Sequence, residues 1–175
     1  MPAVQGLRVG DPLDDATQMG SLISQAHRDK VHGLVETGRK EGAEVVTGGE
    51  PTDGDGAFYP PTVLAGVENR MAVAQEEIFG PVVTVIPFED EAEAVRLAND
   101  TMYGLSGSIW TRDGAKALRV ARAVDTGVLS INSNTSVRVS TPFGGFKQSG
   151  YGRELGPHAL EAYTELKTVY YATGG

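Results

Sequence analysis

Val82-Val83-Thr84-Val85-Ile86 and Val128-Leu129-Ser130-Ile131-Asn132 bracket the stretch that decides the fold. Each is a short run rich in β-branched residues, the composition of a buried strand. Between them the apolar period changes. Residues 90–99 read as a helix with Ala92, Val95, Leu97 and Ala98 at its apolar positions. Residues 106–110 read as a strand, and residues 113–124 as a second helix with Leu118, Ala121 and Val124 inward. The order strand, helix, strand, helix, strand predicts right-handed crossovers and a parallel sheet, hence an α/β fold.

Upstream, Gly10-Asp11-Pro12 and Asp14-Asp15 interrupt any period, so the chain to about Met19 reads as an extended lead-in. Ser21 or Ser24 caps a helix that runs toward Glu41, with Val31, Leu34 and Val35 as its apolar stripe and Gly42 as its stop. Glu44-Val45-Val46-Thr47 reads as a strand ended by Gly48-Gly49, and residues 51–56 as a surface turn. Residues 58–63 read as extended, with Pro60 and Pro61 marking an edge or irregular strand. Downstream of Asn132 a loop rich in Gly, Ser and Thr reaches about Gly152. A short helix over 157–162 then leads to a last strand, 165–171, placed to pair outside its own domain.

A chain of 175 residues is one domain, or most of one, and can bury a core. With 15 Lys plus Arg against 23 Asp plus Glu its net charge is -8, which argues against a nucleic-acid or anionic-membrane partner. No apolar run is long enough to span a bilayer. The first residues lack a charged segment followed by an apolar one, so secretion is not expected and the cytoplasm is the default location. The absence of cysteine excludes disulfides and thiolate metal sites, and no metal site is expected.

In open parallel sheets ligands bind beyond the carboxyl ends of the strands. Asn132 ends a strand there and opens the long loop, which reads either as a site wall or as a plain surface loop. Glu76-Glu77-Ile78-Phe79-Gly80-Pro81 sets a carboxylate beside an aromatic ring and a Gly-Pro turn. Such a group can hold a ribose, the carboxylate accepting from two hydroxyls. By residue type alone the plainer reading is favoured: a turn with Phe79 in the core and both glutamates in water.

These segments, taken together, resemble the C-terminal part of the NAD(P)-dependent aldehyde dehydrogenases. The run from Glu76 to Val82 is similar to that family's most recognisable C-terminal motif. Pro142-Phe143-Gly144-Gly145-Phe146-Lys147-Gln148-Ser149-Gly150 and Gly152-Arg153-Glu154-Leu155-Gly156 match two more, in the family's order. Asn99-Asp100-Thr101-Met102-Tyr103-Gly104-Leu105 and the tail from Ala162 to Val169 are similar as well. The resemblance implies an α/β fold: the parallel three-layer sheet of the catalytic domain over residues 1–150, and a C-terminal segment, 151–175, with an oligomerisation strand. It implies NAD or NADP as cofactor, with Glu77 on the nicotinamide ribose, Phe79 beside the nicotinamide, and Lys30 assisting. His27 stands where many relatives have Gln. Phe143 would line the aldehyde tunnel, and Thr135, Ser136 and Val137 would form the wall that selects the substrate. Arg153 and Glu165 would form an ion pair bracing the subunit interface.

In this family a cysteine thiolate attacks the aldehyde, hydride passes to NAD(P)+, and a glutamate-activated water releases the acid. The resemblance puts that cysteine, the base and the Gly-rich dinucleotide fold upstream of the segment corresponding to Met1. No residue here takes a catalytic role; the serines lack an activating motif, and His27, His32 and His158 read as surface histidines. The expectation is therefore a fragment, inactive alone, of an enzyme that is a homo-oligomer or that pairs with a missing N-terminal half. Two alternatives are a non-catalytic assembly or regulatory partner of a full-length relative, and a stand-alone nucleotide-binding module.

Overall fold

The computed structural model describes residues 2–52, 54 and 56–174. Asp53 and Asp55, at the centre of the expected turn, lie outside the described residues. The chain divides into two units, the first ending at Glu89 and the second beginning at Asp90.

In the first unit the lead-in carries a short helix, α1 (Pro2–Gln5), and a bridge between Val9 and Met19. Helix α2 (Gln25–Glu41) is bounded by the two signals its sequence offers. The Ser24 hydroxyl accepts from the His27 amide, resolving the choice of cap in favour of Ser24, and Gly42 closes the helix at φ 109°. Val31 and Val35 are fully buried on its inner face. Strand β1 (Glu44–Thr47) pairs antiparallel with β2 (Thr62–Ala65), and after α3 (Ala72–Gln75) strand β3 (Val82–Thr84) pairs with β2 in parallel. The core gathers Val31, Val35, Ala43, Tyr59, Leu64, Val67, Met71, Val73 and Ile78.

Two expectations fail here. Of the two readings for Pro60 and Pro61, edge or irregular, the edge fails: the prolines lie on irregular chain before β2, which is the central strand, and the first ladder donor needed is Thr62 N, bonded to Pro81 O at 2.8 Å. The run at Val82 is not a buried strand either. Among the described residues β3 is an edge with one neighbour, and Val83 is 60% exposed.

In the second unit, α4 (Glu91–Asn99) is capped by Asp90. Strand β4 (Tyr103–Gly104) is followed by β5 (Ser106–Ile109), α5 (Gly114–Ala123) and β6 (Val128–Ile131), with β5 and β6 parallel over four residue pairs. Asp113 caps α5 by accepting from the amides of Ala115 and Lys116. Ala117, not Leu118, is the buried residue of α5, and Leu118 is 55% exposed. Strand β7 (Phe146–Lys147) returns from the long loop to pair antiparallel with β4.

The α/β order is therefore present, but among the described residues as three small sheets. β3 pairs with β2, and β5 with β6, so the predicted single run of parallel strands is split. The short helix is a 3-10 helix, Pro157–Tyr163. Among the described residues, 164–174 join no strand ladder and are exposed, so the expected last strand has no ladder to define it.

Candidate functional site

The segment from Glu76 to Pro81 is held at both ends. Glu76 N closes α3 on Ala72 O at 2.8 Å, and Pro81 O receives the Thr62 amide. Between these anchors Ile78 takes the core position, and the residues beside it turn outward. Phe79 is 73% exposed, at φ 54°. This reverses the plainer reading of the segment, in which Phe79 filled the core. A left-handed aromatic residue costs about 1 kcal/mol or more, and such strain is characteristic of functional loops. Gly80 then lets the loop touch α2, since a Cβ there would lie 2.7 Å from a Val31 methyl.

This approach sets the first turn of α2 beside the loop. The His27 ring lies against that of Phe79, centroids 5.8 Å apart and tilted by 37°. His27 is thus half-buried in an aromatic contact and not a plain surface histidine. Its Nδ1 is enclosed without a hydrogen-bond partner. Lys30 lies three residues on, one helical turn away, and is exposed, as is Glu77. The first unit thereby presents a carboxylate and an aromatic ring on one loop, with a lysine on the neighbouring helix. These groups suit a ligand with hydroxyls and a flat ring.

The second unit carries Thr135, Ser136, Val137 and Phe143. The Thr135 hydroxyl lies 2.8 Å from that of Ser133, and its amide donates to the same oxygen at 3.1 Å. Val137 is 53% exposed. Phe143 is half-buried, its amide and carbonyl both paired with Glu154 at 2.7 Å. The wall residues thus sit on a loop whose base is pinned and whose rim is open.

The family-like segments of this unit meet one another. Asn99 donates to Ala123 O at 2.8 Å and accepts from Asp125 N at 2.7 Å, tying the ends of α4 and α5. Lys147 Nζ donates to Asn99 O and Thr101 O. Arg153 does not pair with Glu165; its Nη1 donates to Gly145 O and Gly152 O, and its guanidinium lies 5.5 Å above the Phe146 ring. Glu165 stands on the exposed tail.

One part of the site was missed from sequence. Ser108 and Ser130 are directly opposed in the β5–β6 ladder, 3.0 Å apart, and Ser130 donates on to Ser133 O. This line of hydroxyls runs from the sheet into the wall loop. Its sequence signal was two serines at matching places in two adjacent parallel strands. Among the described residues there is no cluster of His, Asp and Glu able to hold a metal ion, and no helix long and apolar enough to cross a membrane.

Known proteins carry the same arrangement of segments. A sequence model of the aldehyde dehydrogenase family matches residues 1–169. Betaine aldehyde dehydrogenase of Sinorhizobium fredii is 48% identical over 173 residues, which is 97% of this chain and 36% of that protein. Geranial dehydrogenase of Castellaniella defragrans is 48% identical over 168 residues, 96% of this chain and 35% of its own. The crystal structure of a Mycobacterium tuberculosis aldehyde dehydrogenase complexed with NAD+ matches with a TM-score of 0.91 at 45% identity, covering 98% of this chain and 36% of that one. A Staphylococcus aureus betaine aldehyde dehydrogenase in complex with NAD+ matches with a TM-score of 0.88 at 43% identity, covering 92% and 33%. The chain spans about a third of the length of these relatives. With its motifs in order and the family model matching nearly its whole length, this chain belongs to the aldehyde dehydrogenase family.

Proposed function

We propose that the chain is the C-terminal part of an NAD(P)-dependent aldehyde dehydrogenase that, when complete, oxidises an aldehyde to a carboxylic acid. The observation that carries this reading is the outward pair Glu77 and Phe79, with Phe79 on left-handed backbone against His27. The donor set fits the cofactor. Glu77 would accept from the hydroxyls of the nicotinamide ribose, Phe79 would pack beside the nicotinamide, and Lys30 would add a positive charge. The chemistry that NAD or NADP would supply there is that of a hydride acceptor. On the second unit, Thr135, Val137 and Phe143 face the substrate.

Residues 1–150 are then the C-terminal portion of the catalytic domain, contributing to its parallel three-layer sheet. Residues 151–175 are the segment that bears the oligomerisation strand. The exposed tail, with Leu166, Val169, Tyr170 and Tyr171, supports assembly into a homo-oligomer or onto a companion polypeptide. The same tail favours a second reading, a non-catalytic partner of a full-length relative. The cytoplasm is the place of work in either case.

The chain has no cysteine, so it is expected to be inactive alone. Aldehyde-dependent NADH or NADPH formation is measured on the purified chain, with and without the polypeptide corresponding to the other two thirds of its relatives. No turnover alone and turnover with the companion are expected. In the active complex Glu77→Gln raises the KM for the cofactor about tenfold or more, the loss of charge-assisted hydrogen bonds. Turnover by the chain unaided overturns the proposal. Co-purification with a full-length relative whose rate is set by this chain, but which needs none of its cofactor residues, turns it toward the second reading.

A further inference from the structure

The wall loop leaves β6 at Asn132, a residue in the left-handed region at φ 53°. Asparagine tolerates that conformation better than most residues, but here its side chain is also engaged. Asn132 Oδ1 accepts from Thr111 N at 2.9 Å, and Nδ2 donates to Thr111 O at 2.9 Å. Its own amide donates to Ile109 O at 2.8 Å, one step past the end of the β5–β6 ladder. Three hydrogen bonds therefore fasten one residue to the end of β5. Thr111 in turn accepts at Oγ1 from Asp113 N, and Asp113 caps α5. The exit of the loop is locked to a strand end and a helix start.

Only an amide side chain can make both bonds to Thr111. A carboxylate has no donor for Thr111 O, and an aliphatic chain has neither group. Past Asn132 the loop is fastened again at Val139, whose carbonyl accepts from Gly156 N at 2.9 Å. Thr135 and Val137 hang between these two points. The Ser130–Ser133 and Ser133–Thr135 hydrogen bonds carry the setting of the first fastening to Thr135. A change of direction at Asn132 therefore displaces the residues that meet the substrate, while β5 and β6 keep their own ladder.

We propose that Asn132 is the positioning residue of the substrate wall: its clamp on Thr111 fixes where Thr135 and Val137 stand and so sets which aldehydes are accepted. The inference rests on the reading of the chain as part of an aldehyde dehydrogenase. Asn132→Gly keeps the backbone conformation and removes the clamp; Asn132→Asp keeps the shape and removes one bond.

The first measurement needs only this chain. Amide hydrogen exchange is expected to accelerate about tenfold or more at Thr111 and across residues 133–138 in Asn132→Gly. Val128 N, bonded to Leu105 O, should keep its protection and so report an intact fold. The second measurement uses the complete enzyme with propanal and decanal. Asn132→Gly and Asn132→Asp should change the ratio of kcat/KM between the two aldehydes about tenfold through KM, with Asn132→Asp the milder. Unchanged exchange at Thr111 overturns the clamp. An equal fall in kcat/KM for both aldehydes overturns the specificity role and leaves the parent reading standing. Absence of aldehyde oxidation by the unsubstituted complete enzyme overturns the parent reading and this role together, while the exchange result still decides the clamp.

Discussion

Gly127 and Gly144 approach so closely that a Cβ on Gly127 would lie 1.7 Å from the Gly144 carbonyl oxygen. The obstacle is backbone, held by the β4–β7 pairing and the Phe143–Glu154 bridge, and it has no side-chain torsion through which to yield. Gly127→Ala is expected to destabilise the second unit by about 3 kcal/mol or more, as severe overpacking does. Gly114→Ala is the matched control, since open space surrounds that position at the start of α5, and a gain of about 0.5 kcal/mol is expected there. Urea denaturation of the two variants checks the pair. Single residues also mark the limit of what sequence could say about the site. The resemblance singles out Glu77, Phe79 and Lys30 as the proposed cofactor residues, but residue type alone put the wrong side chain inward. Ile78 and Phe79 compete for one core position, and the winner is decided by a φ of 54° that no composition encodes.

The helices were legible because their signals are local. Ser24, Asp90 and Asp113 each cap by accepting from an amide two or three residues on, and Gly42 ends α2 where expected. Strands depend on distant partners, which is why β2 shifted past its prolines and why residues 165–171 have no ladder. Between helices α4 and α5 a further feature escaped notice: Arg119 donates through Nε and Nη2 to the two oxygens of Glu91, at 2.6 and 2.7 Å. Those hydrogen bonds hold the Glu91 carboxyl below its ordinary value of 4.5, and backbone amides of Lys116 and Ala115 likewise hold Asp113 low. A carboxyl lowered by folding stabilises the folded state above its unfolded pKa and loses that contribution as pH falls through the folded value. Glu91→Gln should therefore lower the melting temperature slightly at pH 7. The gap from the unsubstituted chain should shrink from about pH 4.5 downward and close once Glu91 is protonated in both states. Melting curves from pH 7 to pH 3 test this, and a gap that widens in acid contradicts it.

On the scale of the whole molecule the apolar residues left outside form a pattern. Val83, Val85 and Phe88 are exposed along and after β3, Trp110 and Leu118 are exposed in the second unit, and Leu166, Val169, Tyr170 and Tyr171 in the tail. The first group lies on and just beyond β3, one of the two edge strands of the three-stranded sheet, and the last is a segment in no ladder among the described residues, so both invite further strands. In the proposed enzyme the rest of the polypeptide and a second subunit would cover these surfaces, and the cost of a substitution would then depend on what the chain is bound to. Val83→Ser in the chain alone removes a side chain already in water and should change stability by less than about 0.5 kcal/mol. In the complete enzyme the same change withdraws a buried isopropyl group and should cost about 1.5 kcal/mol or more. Leu64→Ala, in the core of the first unit, should cost about 3 kcal/mol in both settings and so calibrates the comparison. Equal effects of Val83→Ser in the two settings would show that this face stays open to water in the assembled protein, and the covering polypeptide would then have to be sought on another surface.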